Sequence, residues 1–349
     1  MSKRIALIPG DGIGVEVVRE AERVLATLVS THQLPLDWTT FDWGAEKYLR
    51  EGVTLPEGAI EMLRRDFDAI LIGALGDPRV PSNQHARDIL LGIRFGLDLY
   101  VNQRPVKLLD ARLCPLKGVA EEDVNFVIFR ENTEGAYAGV GGNFKRDTPD
   151  EVAVQEDVNT RMGVERILVY AFEYALRHGG KKVCMSDKAN AMPYGHGLWE
   201  RTFAQVRERY PRIDSRHLYV DTLAMEIIRN PSQFEVIVTC NLFGDILSDL
   251  SAALLGGLGA APSANLNPGC ISMFEPVHGS APEIAGKNLA NPMAAILTAG
   301  MMLDELGFPE ESAHIEKLVA EAIHHGITTP DLGGELGTRE VGNWICARL

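Results

Sequence analysis

Short apolar runs alternate with longer amphipathic segments along this chain. The apolar runs, rich in Val and Ile, cover residues 4–8, 69–72, 126–129, 182–185, 217–220 and 236–239. The longer segments carry apolar residues at helical spacing and cover residues 15–28, 164–177, 198–209 and 223–229. Strands that alternate with helices are typical of βαβ units, so the pattern predicts an α/β fold with a mostly parallel sheet.

The chain shows no internal repeat and no low-complexity linker that would separate two domains. Any second domain is therefore expected to be interwoven with the first. Residues 139–156 are polar and less periodic than their surroundings. We expect this stretch to form an arm or clasp outside the main core.

Composition and charge exclude several classes of protein. The chain has 349 residues, of which 46% are hydrophobic and 23% charged, and its net charge is −14. Such an acidic chain is not expected to bind nucleic acid or an anionic membrane. No apolar stretch approaches the roughly 18 residues of a membrane span, and the amino-terminal apolar run is too short for a signal peptide. The five cysteines are scattered without a CxxC pair, which favours reduced thiols in a cytoplasmic protein.

The most informative segment reads FGDILSDL, residues 243–250. It places Asp245 and Asp249 four residues apart, so that in a helix both carboxylates lie on one face. Two adjacent carboxylates repel each other unless a cation lies between them, and Mg²⁺ or Mn²⁺ prefers such oxygen ligands. For the pair alone, a solvated acidic face is an equally good interpretation.

A glycine-rich loop, PGDGIG at residues 9–14, follows the first apolar run and opens an amphipathic segment. The position of the last glycine in a GxGxxG dinucleotide fingerprint is occupied by Val15. The loop is therefore weak evidence for an ordinary Rossmann site, and a tight structural turn explains the glycines equally well.

Arginine and leucine side chains suggest how a substrate would be held. Arg94, Arg104 and Arg130 lie beside apolar segments, and converging guanidinium groups suit a dicarboxylate. Each one alone is more often a surface salt-bridge partner. If the segment before Arg94 is helical, Leu90 and Leu91 form an apolar patch beside it that suits an aliphatic branch. Burial of these leucines in the core is the commoner use.

Two residues are candidates for proton transfer. Lys188 directly follows a predicted strand, where active-site residues of α/β sheets tend to lie. A lysine near a divalent cation loses its proton more readily and can serve as a base. Tyr137 shares a loop with Arg130. Considered alone, each residue is more often structural than catalytic.

Five motifs carry a family resemblance: IPGDGIG, RENTEGAY, SDKAN, NLFGDILSD and EPVHGSAPEIAGKNLANP. In this order they resemble the β-decarboxylating dehydrogenases of 2R-hydroxyacids, which include isocitrate, 3-isopropylmalate, homoisocitrate and D-malate/tartrate dehydrogenases. The resemblance covers nearly the whole chain. It implies an isopropylmalate-dehydrogenase-like fold of two interwoven α/β domains. Residues 1–98 and 252–349 would form a discontinuous dinucleotide-binding domain, and residues 99–251 a substrate, metal and dimerisation domain.

The resemblance also implies roles for residues at matching positions. Lys188 would deprotonate the C2 hydroxyl, and Tyr137 would protonate the enol carbon after CO₂ leaves. Lys188 and Asp221 would come from the partner subunit of a homodimer or a larger assembly. The catalytic residues would be Tyr137, Lys188 and Asp221, and the ligands of Mg²⁺ or Mn²⁺ would be Asp221, Asp245 and Asp249. The substrate would contact Leu90, Leu91, Arg94, Arg104 and Arg130. The cofactor would contact Ile13, His278, Gly279, Ser280, Ala281, Glu283 and Asn291.

Particular residues in the motifs that carry the resemblance imply a preferred cofactor and substrate. Glu283 would repel the 2′-phosphate of NADP, so we expect NAD. The Leu90-Leu91-x-x-Arg94 pattern resembles 3-isopropylmalate dehydrogenases and implies oxidative decarboxylation of (2R,3S)-3-isopropylmalate in leucine biosynthesis. RENTEG and Arg87 depart from the main isopropylmalate pattern and keep homoisocitrate and isocitrate open. The same chemistry on D-malate or tartrate is a further alternative, although such enzymes typically carry a Trp in this segment that is absent here. A non-catalytic regulatory subunit is a remote alternative. Such a subunit would be expected to lose part of the Lys/Tyr/Asp set, and all of that set is present here.

Overall fold

The computed structural model describes residues 2–349 and confirms a mixed α/β fold. The strands are β1 Lys3–Ile8, β2 Leu36–Thr40, β3 Ala69–Ile72, β4 Val101–Lys107, β5 Asn125–Glu131, β6 Gly141–Phe144, β7 Val152–Gln155, β8 Lys182–Asp187, β9 Asp214–Tyr219, β10 Val236–Thr239, β11 Pro262–Leu266 and β12 Ser272–Pro276. The α-helices are α1 Ile13–His32, α2 Ala45–Glu51, α3 Ala59–Asp66, α4 Gln84–Gly96, α5 Arg161–Arg177, α6 Gly195–Arg207, α7 Val220–Arg229, α8 Asn241–Ala252, α9 Met293–Glu305, α10 Pro309–His324 and α11 Thr338–Cys346. Within residues 2–349, no helix is long and apolar enough to cross a membrane.

The chain divides into two compact units. The first comprises the chain up to Leu99, Lys107–Glu121 and Ala252–Leu349, and the second comprises Tyr100–Val106 and Glu122–Ser251. The predicted domain boundaries place residues 107–121 in the second domain, whereas here they belong to the first unit. The reason is visible at Arg112, whose Nη2 donates to the carbonyl oxygens of Ile323 and His324 at 3.1 and 3.2 Å.

In the first unit, the strand order is β2-β1-β3-β12-β11. Strands β2, β1, β3 and β12 are parallel, and β11 is antiparallel to β12. Four consecutive residues of β1, from Ile5 to Ile8, are buried, so both faces of the strand are covered. Helix α9 packs on β11 and β12 and against α1. Helix α1 turns its apolar face inward, with Val17, Ala21 and Leu28 among its buried residues.

In the second unit, the strand order is β4-β5-β10-β8-β9, and β5, β10, β8 and β9 are parallel. Helix α5 packs on β5, β10 and β8. Parallel strands place all their carboxyl ends at one edge, which is where α/β sheets bind ligands. Lys188 directly follows β8, and helices α7 and α8 begin at this edge, just after β9 and β10.

Residues 139–156, the predicted arm, contain a small antiparallel hairpin of the second unit. Strands β6 and β7 pair with Gly141 opposite Gln155 and Phe144 opposite Val152. Every residue of both strands is exposed, including the large apolar side chains of Phe144, Val152 and Val154. A hairpin with apolar side chains on its surface is suited to contact with another chain.

The glycine-rich loop surrounds a buried carboxylate. Asp11 accepts hydrogen bonds from the backbone N–H groups of Ala45 at 2.6 Å and Gly76 at 2.8 Å. Its other contact is with Nε2 of the fully buried His85 at 2.7 Å. The loop therefore fastens three separate segments of the first unit together, which accounts for its Asp residue structurally.

The first N–H groups of α1 are also engaged by the protein. Ile13 N–H donates to the carbonyl oxygen of Ser280 at 2.8 Å, and Gly14 N–H donates to that of Asp11 at 2.8 Å. A phosphate cradle would need these N–H groups to be available. The arrangement favours the tight-turn interpretation of PGDGIG, while bringing Ile13 and Ser280 together as neighbours.

Gly12 is the glycine that this arrangement requires. Its backbone has φ 55° and ψ −126°, and a Cβ atom there would lie 2.1 Å from the carbonyl oxygen of Ser280. We expect Gly12→Ala to lower the free energy of unfolding by more than about 2 kcal/mol, because backbone strain and a backbone clash add together. Thermal unfolding of the purified protein measures the loss.

Gly52→Ala is the matched control. Gly52 also has positive φ, at 69°, but nothing lies within 4 Å of its added Cβ. Its loss should be limited to the left-handed backbone cost of about 1 kcal/mol. Equal melting temperatures for the two variants would contradict the close approach at Gly12.

Candidate active site

Helix α8 presents the acid pair at the carboxyl edge of the second unit. The helix buries Gly244, Leu247 and Ser248 on one side. The carboxylates of Asp245 and Asp249 remain accessible, with side chains 36% and 56% exposed. The two carboxylates can therefore bind a ligand from solvent, while the buried residues on the other side hold the helix in place.

Two buried arginines lie beside the acid pair. Arg130, at the end of β5, forms an ion pair with Asp245, and its Nε donates to Asn241 Oδ1 at 2.9 Å. In β4, Nη2 of Arg104 lies 3.9 Å from Oδ1 of Asp245, and its Nη1 lies 3.8 Å from Oδ1 of Asp249. Two guanidinium groups and two carboxylates thus form one compact charged group.

Local sequence explains why this group can form. A Cβ atom on Gly244 would lie 2.5 Å from Cβ of Arg130, so only glycine allows the strand to pass this close to the helix. Two supporting residues of α8, Asn241 and Ser248, were not among the predicted site residues. Ser248 Oγ accepts a hydrogen bond from Arg104 at 3.2 Å. Their spacing of −4 and +3 from Asp245 was the signal that could have identified them.

Tyr137 belongs to the same group. Its hydroxyl donates to Asp245 Oδ2 at 2.7 Å, and the Arg130 guanidinium lies 5.0 Å from its ring centroid. Burial and the hydrogen bond to Asp245 raise the pKa of Tyr137 above its usual value. The phenol therefore keeps its proton near neutral pH and can serve as a proton donor.

The two carboxylates differ in their electrostatics. Burial opposes ionisation of Asp245, but Arg130, Tyr137 and Arg104 outweigh it and lower the pKa of Asp245. Burial and the negative charge of Asp245 raise the pKa of Asp249. A cation between the two oxygens would relieve that repulsion. The all-oxygen donor set fits a hard divalent ion such as Mg²⁺ or Mn²⁺.

A second group forms around Lys188, which follows β8. Lys188 Nζ lies 2.5 Å from Oδ1 of Asp221 at the start of α7, and this hydrogen bond lowers the pKa of Asp221. The backbone of the lysine is held on both sides. Its N–H donates to His196 Nδ1 at 2.9 Å, and the next N–H, of Ala189, donates to Asp187 Oδ1 at 2.9 Å.

One chain does not bring these two groups together. In the described chain, no hydrogen bond or ion pair links Lys188 or Asp221 to Asp245, Asp249 or Tyr137. The carboxylate oxygens of Asp221, Asp245 and Asp249 also do not all lie within 4.8 Å of one another in the described chain, so these acids do not form a three-carboxylate set there.

The predicted substrate residues of the first unit lie on α4. Arg94 is buried and its Nη2 donates to Glu275 Oε1 on β12 at 2.6 Å, whereas its Nε has no hydrogen-bond partner. Leu90 packs against the apolar core of the unit. Leu91 is equally half-buried but is not part of that cluster. The structure thus distinguishes two leucines that the sequence treats alike.

The predicted cofactor residues lie in the loop after β12 and at the start of α9. Ile13 and Ser280 are joined by the backbone hydrogen bond described above. Asn291 accepts a hydrogen bond from Met293 N–H at 3.0 Å at the start of α9 and donates to Asp331 Oδ2 at 3.0 Å. Asp331 was not among the predicted residues. Glu283 is exposed.

The surroundings of His278 indicate whether this loop can hold a dinucleotide. The side chain is buried, and its Nε2 has no hydrogen-bond partner. Burial lowers the pKa of His278, so the imidazole is neutral near pH 7. Ala281, three residues on, has a positive φ of 36°. A buried polar atom without a partner, beside a strained backbone, is typical of a ligand site, and the loop fits a bound dinucleotide.

Comparisons with known proteins address the family directly. Residues 4–345 match the model of the isocitrate/isopropylmalate dehydrogenase family. A 3-isopropylmalate dehydrogenase of Thermobifida fusca is 45% identical, over 99% of this chain and 97% of the relative. A probable tartrate dehydrogenase/decarboxylase of Bacillus subtilis is 43% identical, over 99% of this chain and 97% of the relative.

A solved structure agrees with this assignment. The crystal structure of isocitrate dehydrogenase from Methylococcus capsulatus superposes with a TM-score of 0.90 at 38% identity, covering 99% of both chains. The match therefore extends over both units of the chain and over all the motifs on which the resemblance was based. The chain belongs to the isocitrate/isopropylmalate dehydrogenase family.

Proposed function

We propose that this protein catalyses the NAD-dependent oxidative decarboxylation of (2R,3S)-3-isopropylmalate to 2-oxo-4-methylpentanoate and CO₂, a step of leucine biosynthesis. The observation that carries the proposal is that the Asp245 carboxylate contacts both the Tyr137 hydroxyl and the buried guanidinium of Arg130. In the proposal, Asp245 is a metal ligand and Tyr137 is the proton donor. Oxidation followed by loss of a β-carboxylate needs these functions close together. The name and the 45% identity of the Thermobifida relative support the choice of substrate.

Anion binding is assigned to the buried arginines. Arg104 and Arg130 both reach the acid pair, so a dicarboxylate bound beside Asp245 and Asp249 would meet two guanidinium groups. Their planar forks hold carboxylates in a fixed orientation. When bound, a divalent cation would stabilise negative charge on the C2 oxygen and NAD would accept the hydride from C2.

Two residues of the chain move protons. Lys188 accepts the proton of the C2 hydroxyl, and Asp221, whose Oδ1 lies 2.5 Å from its Nζ, orients the side chain. Tyr137 donates its proton to the carbon from which CO₂ has left. The raised pKa of Tyr137 is consistent with that role, because the phenol must be protonated when the enolate forms.

We infer that the active form is a homodimer with shared sites. Within the described chain, Asp221 does not cluster with Asp245 and Asp249, and Lys188 pairs with Asp221 instead, which supports a site completed by a second copy. The helices that carry these residues also expose large apolar side chains: Met225 and Ile228 on α7, and Leu242 and Ile246 on α8. Exposed apolar side chains on both helices are typical of an isologous interface.

Charge at the cofactor loop supports NAD over NADP. Glu283 is exposed in the loop that also contains His278 and Ser280. A carboxylate can accept hydrogen bonds from ribose hydroxyls but repels a 2′-phosphate.

D-Malate or tartrate is the second candidate substrate, because the Bacillus subtilis relative is named for tartrate and is 43% identical. Discrimination between the candidates depends on α4. Leu91 lies outside the core cluster, so its side chain is the better partner for an aliphatic branch. The exposed Arg87 has its Nε 3.6 Å from Oδ1 of Asp88, on the same helix.

Asp245→Asn tests the metal site. The change keeps the size of the side chain but removes the ligand charge, so we expect kcat/KM to fall about 100-fold or more. Mn²⁺ binding, measured by electron paramagnetic resonance without substrate, should weaken in parallel. Asp304→Asn, at an exposed acid of α9, is the control and should change neither quantity. Full activity of Asp245→Asn at low Mg²⁺ would contradict the assignment.

Subunit complementation tests the shared site. Lys188→Ala and Tyr137→Phe chains are each expected to be inactive, but a mixed dimer contains one intact site. Random exchange at equal amounts should restore about one quarter of wild-type activity, since half the dimers are mixed and half their sites are intact.

A matched pair controls that experiment. Lys188→Ala mixed with Asp221→Asn should recover no activity, because both residues are supplied by the same side of the dimer. No recovery in the first mixture after demonstrated exchange would show that each site is built from a single chain. Recovery in the control would show that Lys188 and Asp221 of one site come from different chains.

Single alanine substitutions on α4 test specificity. Burying one leucine side chain is worth about 1.5–3 kcal/mol, so Leu91→Ala should lower kcat/KM for 3-isopropylmalate by about 10- to 100-fold. Activity on D-malate, which lacks the branch, should change little. Leu90→Ala should mainly lower the melting temperature, because Leu90 packs on the core. Equal losses on both substrates with Leu91→Ala would remove the specificity role.

A further inference from the structure

The second unit contains a cavity at the amino ends of β8, β9 and β10. Its volume is about 120 Å³, and it is lined by residues of these strands and of the segment before β10. Lys188 and Asp221 follow the opposite, carboxyl ends of β8 and β9. The cavity is therefore separate from the proposed active site. A single water needs only about 10–15 Å³ of such space, so there is room for a small molecule.

Arg216 is the notable residue of this cavity. Its Nη2 atom is buried without a hydrogen-bond partner. The guanidinium lies 4.7 Å from the ring centroid of Phe234, which fixes its position. Within the described chain, no carboxylate lies in salt-bridge range of Arg216. Leaving a charged donor atom buried and unpaired is costly, and an anion in the cavity would remove that cost.

The remaining charges limit what the anion can be. Glu235 also lines the cavity, but its Oε2 already accepts the N–H groups of Lys181 at 2.6 Å and Lys182 at 3.0 Å. Lys182 and Asp214 are exposed lining residues of opposite charge. Two cations and two acids therefore balance across the cavity. That balance disfavours a polyanion and suits a ligand with a single negative charge.

Part of the cavity wall is apolar. Val183, Cys184, Phe234 and Val236 are buried residues that line it. Burial raises the pKa of Cys184 to about 11, so its thiol is neutral and behaves as a small apolar group. Such a wall gives no hydrogen bonds to a fully polar ion such as phosphate, but it buries a short aliphatic chain favourably.

We propose that this cavity binds a small monocarboxylate with a short aliphatic chain. The carboxylate pairs with Arg216, and the chain lies against Val183, Phe234 and Val236. Binding there needs no residue of the proposed active site, and it holds whatever substrate the enzyme uses.

Isothermal titration calorimetry of the full chain with 3-methylbutanoate tests the proposal. Wild-type protein should show a binding component that weakens at least tenfold in Arg216→Met, which keeps the length of the side chain but removes its charge. Arg212→Met, at an exposed arginine just before β9, is the matched control and should bind like wild type. Turnover of Arg216→Met should equal that of wild type, which separates this cavity from catalysis.

Three results would overturn the proposal. The first is an unchanged isotherm in Arg216→Met. The second is Arg216-dependent binding of inorganic phosphate that is tighter than that of 3-methylbutanoate, which would identify an oxyanion site instead. If Arg216→Met does not fold, Lys182→Glu replaces it. This change at an exposed lining residue adds negative charge and should weaken binding of 3-methylbutanoate at least threefold. The third overturning result is an unchanged affinity in Lys182→Glu.

Discussion

Burial of the Arg130 guanidinium is the constraint on which the candidate site depends. A buried cation must be paired, and here Asp245 and Asn241 of α8 both contact it. The pairing requires close approach of β5 and α8, which Gly244 permits. Asp245 is thereby fixed in position and kept ionised, and its second oxygen is left to accept the hydroxyl of Tyr137. One electrostatic requirement thus orients the proposed metal ligand and the proposed proton donor together.

The parallel sheet determines where that group can lie. Strands β5, β8, β9 and β10 run in the same direction, so Arg130, Lys188, the start of α7 and the start of α8 all occur at one edge. The amino ends of three of these strands lie at the opposite edge, where Nη2 of Arg216 is buried without a hydrogen-bond partner. The same topology therefore produces two separate charged regions, one with the candidate acids and the other with a guanidinium that has one buried, unpaired nitrogen.

Strands with uninterrupted Val and Ile runs were predictable from sequence, and so were α8 and its acid pair. Strands β11 and β12 were not, because buried polar residues interrupt their apolar pattern. Ser263 and Asn265 are satisfied by Glu275 across the pair, which only the structure reveals. Helix α9 is buried on nearly every side and so lacks amphipathic periodicity. Likewise, nothing local predicts that Arg94 pairs with Glu275, 181 residues away.

The pairing of Lys188 with Asp221 gives assembly a chemical consequence. In one chain, Nζ of Lys188 lies 2.5 Å from Oδ1 of Asp221, and this contact lowers the pKa of Asp221. The carboxylate is thus kept ionised, as a metal ligand must be, but one of its oxygens is already engaged by the lysine. If Asp245 and Asp249 of the partner subunit brought a divalent cation to Asp221, the cation would compete with Lys188 for that oxygen. Assembly would then complete the proposed ligand set and release the lysine side chain toward the substrate in the same event.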